Sequence, residues 1–195
     1  MDKNYCHPDC ETCAQIRDAA VELVGAEEIE QVTHERLAAR TGLCIDEIAE
    51  HYHDAGTCLY EAYEEVSYGI YQDFQRSFAA EQGWRRALML GSHTLLTRLA
   101  ARPAEARLCF VEILRGDHEL LRRRNQARRR LVDLFVVELG RRRDDPEQYR
   151  MQLELLIGAA FQAIAAAVAT GDLAELPGLE PELVSRAFVF EPAAL

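Results

Sequence analysis

Val32-Thr33-His34-Glu35-Arg36-Leu37-Ala38-Ala39-Arg40-Thr41-Gly42-Leu43-Cys44-Ile45-Asp46-Glu47-Ile48-Ala49-Glu50-His51-Tyr52 is the stretch that decides the fold. Thr33 can cap a helix with its side-chain oxygen, and Leu37 and Ala38 carry the apolar spacing one turn on. Arg36 stands where a capping box would place Glu. Gly42 is the residue type that leaves a helix through a positive φ. Ile45, Ile48 and Ala49 then restart the same spacing, ending near Tyr52-His53-Asp54. Upstream, Ile16, Ala19, Ala20, Leu23 and Val24 fall at i, i+3, i+4, i+7 and i+8 on one face. Two short helices joined by a glycine turn and backed by a third read as a helix-turn-helix head.

Working outward, helical periodicity continues to the end of the chain. A long helix is expected from about Thr57 to Phe78, striped by Tyr60, Tyr63, Tyr71, Phe74 and Phe78, which read as core, with the lining of an effector pocket or of the joint between domains as the alternative. Further helices are expected over Trp84–Ala100, Ala104–Leu114 and His118–Arg142, separated by Arg102-Pro103 and Gly116-Asp117. After Asp144-Asp145-Pro146 comes Pro146–Thr170, rich in Gly and Ala, and a last helix over Glu182–Phe190. There is no strand-like alternation, internal repeat or low-complexity segment. The 195 residues are 49% hydrophobic and 28% charged, enough for a sizeable core in one or two domains. The expected class is all-α, with a three-helix head over residues 1–54 and a helical domain over 55–195. The apolar run Leu155–Thr170 falls short of the ~18–20 residues that a bilayer needs. Residues 1–13 are polar and lack a secretory core, so the cytoplasm is the expected compartment and no membrane contact is expected.

Charge is distributed unevenly. Residues 1–66 carry 4 basic and 16 acidic groups, a net of −12, against 18 basic and 17 acidic in the remainder. DNA affinity comes largely from Lys and Arg neutralising phosphates. A reading head of this charge needs a partner or metal to hold DNA, or it does not hold DNA in the ordinary way. Arg122-Arg123-Arg124, Arg128-Arg129-Arg130 and Arg141-Arg142-Arg143 make a basic helix, expected to be a solvated face with intrahelical Glu partners, with nucleic acid or an acidic partner such as the head of a second molecule as the alternative.

The same 66 residues hold five of the six cysteines and four of the six histidines. Cys6, Cys10 and Cys13 form a C-x3-C-x2-C run just before the first helix, whose positive end favours anionic ligands. Closely spaced thiols in a reducing compartment point to metal or redox chemistry. Zinc is the expected ion, an iron–sulfur cluster is the alternative, and an oxidisable thiol sensor is a third reading. Radical-SAM enzymes share the spacing, but a short helical chain has no room for their barrel. His7, Cys44, His51 and His53 complete the candidate ligand set, with His34 and Cys58 as further sources of a fourth ligand. As bland alternatives, His51 and His53 read as a helix cap and a loop residue, and Cys44 and Cys58 as packing.

The apolar frame of the head resembles the tetracycline-repressor (TetR) family. Ala19-Ala20-Val21-Glu22-Leu23-Val24 matches that family's first-helix core, Val32–Leu43 its second helix and turn, and Cys44–Tyr52 its recognition helix, without a gap through Leu59. The resemblance implies a TetR-like fold, an effector cavity in residues 55–195 and a homodimer through the Pro146–Thr170 and Glu182–Phe190 helices. It implies DNA-contacting groups at Thr33, Cys44, Glu47, His51 and Tyr52, and effector-pocket groups at His93, Phe110, Glu112 and His118. The chain departs from the family where phosphate is met: Ala49 replaces the usual Tyr, and Asp54-Ala55 replaces Ser-Lys. One acid can read a cytosine N4, but Asp46, Glu47 and Glu50 with no nearby base cannot hold a polyanion.

Two readings follow. One is a TetR-like transcriptional regulator responding to a small molecule, a metal or a thiol oxidant. The other is a divergent TetR-fold protein that has lost DNA binding and acts as a metal-binding, sensor or interaction module, with a metalloenzyme as its less favoured form. No nucleophile–base arrangement, phosphate loop or complete H-E-x-x-H stands out, so catalysis is not expected.

Overall fold

The structure is a computed structural model, and it describes residues 10–81, 83–141 and 145–187. Those residues form nine α-helices linked by short turns and 3-10 segments, with no strand among them. The head comprises α1 (Glu11–Ala26), α2 (His34–Thr41) and α3 (Ile45–His51). The Thr33 hydroxyl accepts from the Arg36 N–H to cap α2, and Gly42 closes it at φ 77°. A Cβ there would have to adopt the left-handed region, so glycine sets the angle between α2 and α3. Cys44 caps α3, its sulfur accepting from the Glu47 N–H. Ile16, Ala20, Leu37, Ile48 and Tyr52 meet in the centre of the head, all buried.

The remainder begins with α4 (Ala55–Ala80), capped by Asp54, whose carboxylate accepts from the Thr57 N–H at 2.8 Å. It starts two residues earlier and ends two later than the periodicity predicts. Then come α5 (Trp84–Ala101), α6 (Pro103–Phe110), α7 (His118–Gly140), α8 (Arg150–Thr170) and α9 (Glu180–Ala187). The expected Ala104–Leu114 helix divides at Val111 into α6 and a 3-10 turn, Glu112–Leu114. The expected Glu182–Phe190 helix starts earlier, at Glu180, and its last residues lie outside the described ones. Pro103 occupies the first turn of α6, where its missing N–H costs nothing.

Phe74, Phe78, Trp84 and Phe135 form an aromatic core with ring centroids 5.4–5.8 Å apart, as the stripe on α4 predicts. The head docks directly onto this body. Gly25 on α1 lies so close to α6 that a Cβ there would stand 2.5 Å from the Ala104 Cβ and 2.8 Å from its Cα. Glu112, 1% exposed, accepts from the Ile29 N–H at 3.3 Å and pairs with Arg107 at 2.7 Å, sealing the joint.

The segment Glu147–Thr170 is a 24-residue helical stretch long and apolar enough to cross a membrane by length and composition, longer than the Leu155–Thr170 run suggests. Leu153, Ile157, Ile164 and Val168 face inward, while Met151 and Leu155 are 68% and 69% exposed. A face this apolar and this uncovered is one that a partner surface would bury.

Candidate functional site

The surface of α3 is where a helix-turn-helix meets DNA, and here it is acidic. Cys44, Ile45, Asp46 and Glu50 are exposed and Glu47 is half-buried. The arginines of the described head are all occupied. Arg36 pairs with Glu27, Arg40 with Glu22, and Arg17 with Glu65 at 2.8 Å and Glu61 at 3.5 Å. Burial works against the Arg17 charge, but hydrogen bonds to Tyr52 and Glu65 hold it firmly ionised. Tyr52, expected to reach DNA, instead lies 1% exposed in the head core. Its hydroxyl accepts from Arg17 at 3.0 Å and donates to Glu61 at 2.8 Å, so it has nothing to offer a phosphate. Periodicity could not separate a surface Tyr at a helix end from one folded under it, and this expectation is corrected. Thr33 and Cys44 are spent on capping, although both remain accessible. The Arg17–Tyr52–Glu61–Glu65 network, which ties the head to α4, is what sequence reading missed. Its one signal was a lone Arg beside the apolar face of α1.

His51 turns away from the reading surface toward the start of α1. Its Nδ1 lies 3.3 Å from Cys13 Sγ and 3.8 Å from Cys10 Sγ, and the three donor atoms fall within 4.8 Å of one another. Cys10 caps α1, accepting from the Cys13 N–H at 3.5 Å. Cys13 is fully buried and stands in a disulfide. Of the expected ligands, the fold gathers Cys10, Cys13 and His51. Cys44 caps the opposite end of α3, and His53 and His34 lie outside the cluster. Cys58 is buried, its thiol aimed at the Ile16 carbonyl at 3.7 Å and pushed up to about 12 by burial, which makes it packing. Cys6 and His7 lie outside the described residues.

A second candidate site lies in the C-terminal body. A cavity of about 60 Å³ sits between α4, α5, α7 and α8, walled by Phe74, Leu96, Phe135 and Ile164. A smaller one of about 30 Å³ adjoins it, walled by Tyr63, Tyr71 and Phe110. Leu131 and Phe161 line both and form the partition. Of His93, Phe110, Glu112 and His118, Phe110 alone lines either of these two cavities, its ring 5.1 Å from that of Phe161. His93 is exposed and bonds Glu180, His118 is exposed at the start of α7, and Glu112 serves the joint with the head. These three expectations are corrected. The cavity linings are mostly apolar and include Tyr63, Tyr71 and Phe74 of the α4 stripe, whose spacing is also that of ordinary core.

On α7, Arg124 and Arg128 share the face of Ala127 and Leu131 by helical register. Arg122 and Arg123 bond Glu119, as expected of a solvated basic face. Neither Arg124 nor Arg128 has an ion pair among the described residues. Tyr63 at the smaller cavity feels the positive charge of Arg124 and Arg130, though burial dominates and raises its phenol.

No family model and no curated protein matches the sequence. Solved structures do match the fold. The fatty acid degradation regulator FadR from Bacillus halodurans superposes with a TM-score of 0.81 at 15% identity, over 96% of this chain and 98% of that one. FadR from Bacillus subtilis, solved in complex with stearoyl-CoA, gives 0.76 at 16% identity over 88% and 95%. A TetR transcriptional regulator from Rhodococcus sp. RHA1 gives 0.64 at 14% over 93% and 96%. The chain therefore has the fold of the TetR-family regulators, from the helix-turn-helix head to the last described helix.

Proposed function

We propose that the protein is a homodimeric, effector-responsive transcriptional regulator whose effector has a long apolar body and an anionic end. The observation that carries this reading is the superposition of head and body together on regulators of the TetR fold, over 96% of the chain in one case. The apolar cavity supports an apolar ligand, and Arg124 and Arg128 on α7, without ion pairs among the described residues, support an anionic group on it. The Bacillus subtilis neighbour binds stearoyl-CoA, a ligand of this chemistry. Cavities of about 60 and 30 Å³ hold no long chain as they stand. Binding therefore requires the Leu131–Phe161 partition to move, and that movement is the natural signal to pass toward α4 and the head. The uncovered apolar face of α8, with α9 beside it, is the proposed dimer surface. A cytoplasmic location follows from a DNA target.

One observation favours a second reading, in which the head has lost DNA and meets a basic protein partner. Asp46 and Glu50 are exposed, and each described head arginine is already neutralised by a glutamate. Binding to a library of duplex fragments at low salt, with and without palmitoyl-CoA, tests both. Enrichment of a pseudo-palindromic site that palmitoyl-CoA weakens supports the regulator. Absence of any retained duplex sinks it in favour of the second reading, and palmitoyl-CoA binding measured separately tests the cavity.

A further inference from the structure

We propose that Cys10, Cys13 and His51 form a soft-metal site, with zinc as the fitting ion, that ties the end of α3 to the start of α1. The site and the disulfide at Cys13 are mutually exclusive states of the same thiol. This inference goes beyond the regulator reading and does not depend on DNA being bound.

Geometry supports the site first. Zinc holds sulfur at about 2.3 Å and imidazole nitrogen at about 2.0–2.1 Å, so two tetrahedral ligands of these kinds stand about 3.6 Å apart. The two sulfur–nitrogen separations, 3.8 and 3.3 Å, bracket that value. Once Cys13 is reduced, the three donor atoms already stand within 4.8 Å of one another. The donor set decides the ion class: two thiolates and an imidazole favour zinc or a comparable soft cation over magnesium or calcium, which require oxygen. The Cys13 N–H directed at Cys10 Sγ is a donor that a bound thiolate keeps. His51 occupies the last turn of α3, whose carbonyl end favours a cation. Three protein ligands leave a fourth position open to water or a further donor. Among the described residues this is the one group of His, Cys, Asp and Glu donors converging so closely.

The charge balance says how such an ion would act. Zinc with two thiolates and a neutral imidazole sums to zero, so it leaves the acidic field of α3 in place. Its effect is mechanical: it fixes the recognition helix against α1. The disulfide-linked Cys13 cannot coordinate. Loading therefore begins when a dithiol delivers two electrons and two protons to the disulfide, leaving as its own cyclic disulfide. The Cys10 thiol, which is free already, and the freed Cys13 thiol then pass their protons to solvent as the ion binds. In reverse, a peroxide takes two electrons from the Cys13 thiolate and the thiol that partners it in the disulfide, takes one proton from that thiol and one from solvent, leaves as two waters, and the ion is released.

The full chain, reduced with a phosphine under anaerobic conditions and desalted, is titrated with zinc against a chromophoric chelator and separately with cobalt(II). One tight equivalent is expected, with a thiolate-to-cobalt charge-transfer band. His51→Ala and Cys13→Ser should each weaken binding at least about 100-fold, since loss of an outer-shell partner alone costs about 10–100-fold. Cys44→Ser, at the far end of α3, should leave it unchanged. Hydrogen peroxide added to the zinc form should release the equivalent. The proposal is overturned if the reduced wild-type chain takes up no ion below micromolar free zinc, or if a Cys10→Ser, Cys13→Ser double variant keeps its equivalent. Where a variant loses helicity by circular dichroism, the wild-type cobalt spectrum decides: a bound ion lacking the sulfur charge-transfer band ends the assignment. Zinc binding with no duplex binding leaves this site standing and removes only the regulator reading.

Discussion

In the head, Arg17, Arg36 and Arg40 are each clasped by glutamate, while Asp46 and Glu50 on α3 are exposed and have no ion pair among the described residues. In the body the pattern differs: Arg124 and Arg128, on the α7 face of Ala127 and Leu131 by register, have no ion pairs among the described residues. One fold carries both distributions. The comparison teaches that the apolar positions set the fold, while the polar positions that set the partner vary without disturbing it.

The sharpest way to break this contrast is to recharge the head. Asp46→Lys with Glu50→Lys exchanges two exposed acids for two bases. Random duplex DNA should then bind at least about 10-fold more tightly at low salt, with the slope of log K against log salt steeper by about 1–2, from roughly 0.9 per phosphate engaged. An unchanged slope, read by fluorescence anisotropy at several salt concentrations, would mean that α3 does not face the duplex at all.

Stability changes at the joint between the regions come next. Glu112→Ala removes the acceptor of the buried Ile29 N–H and the partner of Arg107, and should cost about 2–4 kcal/mol in urea unfolding. Gly25→Ala should cost about 1–3 kcal/mol, because the new methyl meets Ala104 backbone that cannot yield without separating α1 from α6. A neutral result for either would show the two regions to be less firmly joined than their contacts indicate.

Cysteine reactivity separates the regions without mutation. In reduced protein, iodoacetamide should label exposed Cys44 first. Cys58 and Cys109 should react only on unfolding, since burial pushes the Cys58 thiol up to about 12 and raises Cys109 as well. The sign of the linkage is fixed: a thiol raised in the folded state stabilises the fold at neutral pH, and that contribution fades as pH climbs from 9 toward 12. Peptide mapping after a timed pulse checks the order of labelling.

The smallest effect concerns Asp18, whose carboxyl is raised by burial and then by the nearby Glu65. A raised acid binds its proton more readily when folded, so it opposes folding once pH exceeds its unfolded value of 3.8. Asp18→Asn should therefore raise the melting temperature at pH 7 by about 1–2 °C, a gain that vanishes below pH 4. A calorimetric pH series measures it.

Much of this was legible in the chain itself. The cap at Thr33, the glycine at 42 and the spacing of Ile45, Ile48 and Ala49 are local signals, and each sits where the sequence places it. The C-x3-C-x2-C run supplies two of the three donor side chains that the fold brings within 4.8 Å of one another, Cys10 and Cys13. Tyr52, Glu112, His93 and His118 were misplaced because their roles depend on which neighbour arrives from elsewhere in the chain. Tyr52 meets Arg17 across 35 residues and Glu112 meets Ile29 across 83.

The sequence by itself determined the helices, their breaks, the acidic head and the supply of soft ligands, since propensity, capping and net charge are properties of neighbouring residues or of simple sums. Only the tertiary structure decided that His51 rather than Cys44 or His53 joins the thiols, that Tyr52 is core, and that Leu131 and Phe161 divide a cavity. Side-chain direction at a site is set by how helices cross. Crossing is fixed by close packing between residues far apart in the chain, such as Gly25 against Ala104.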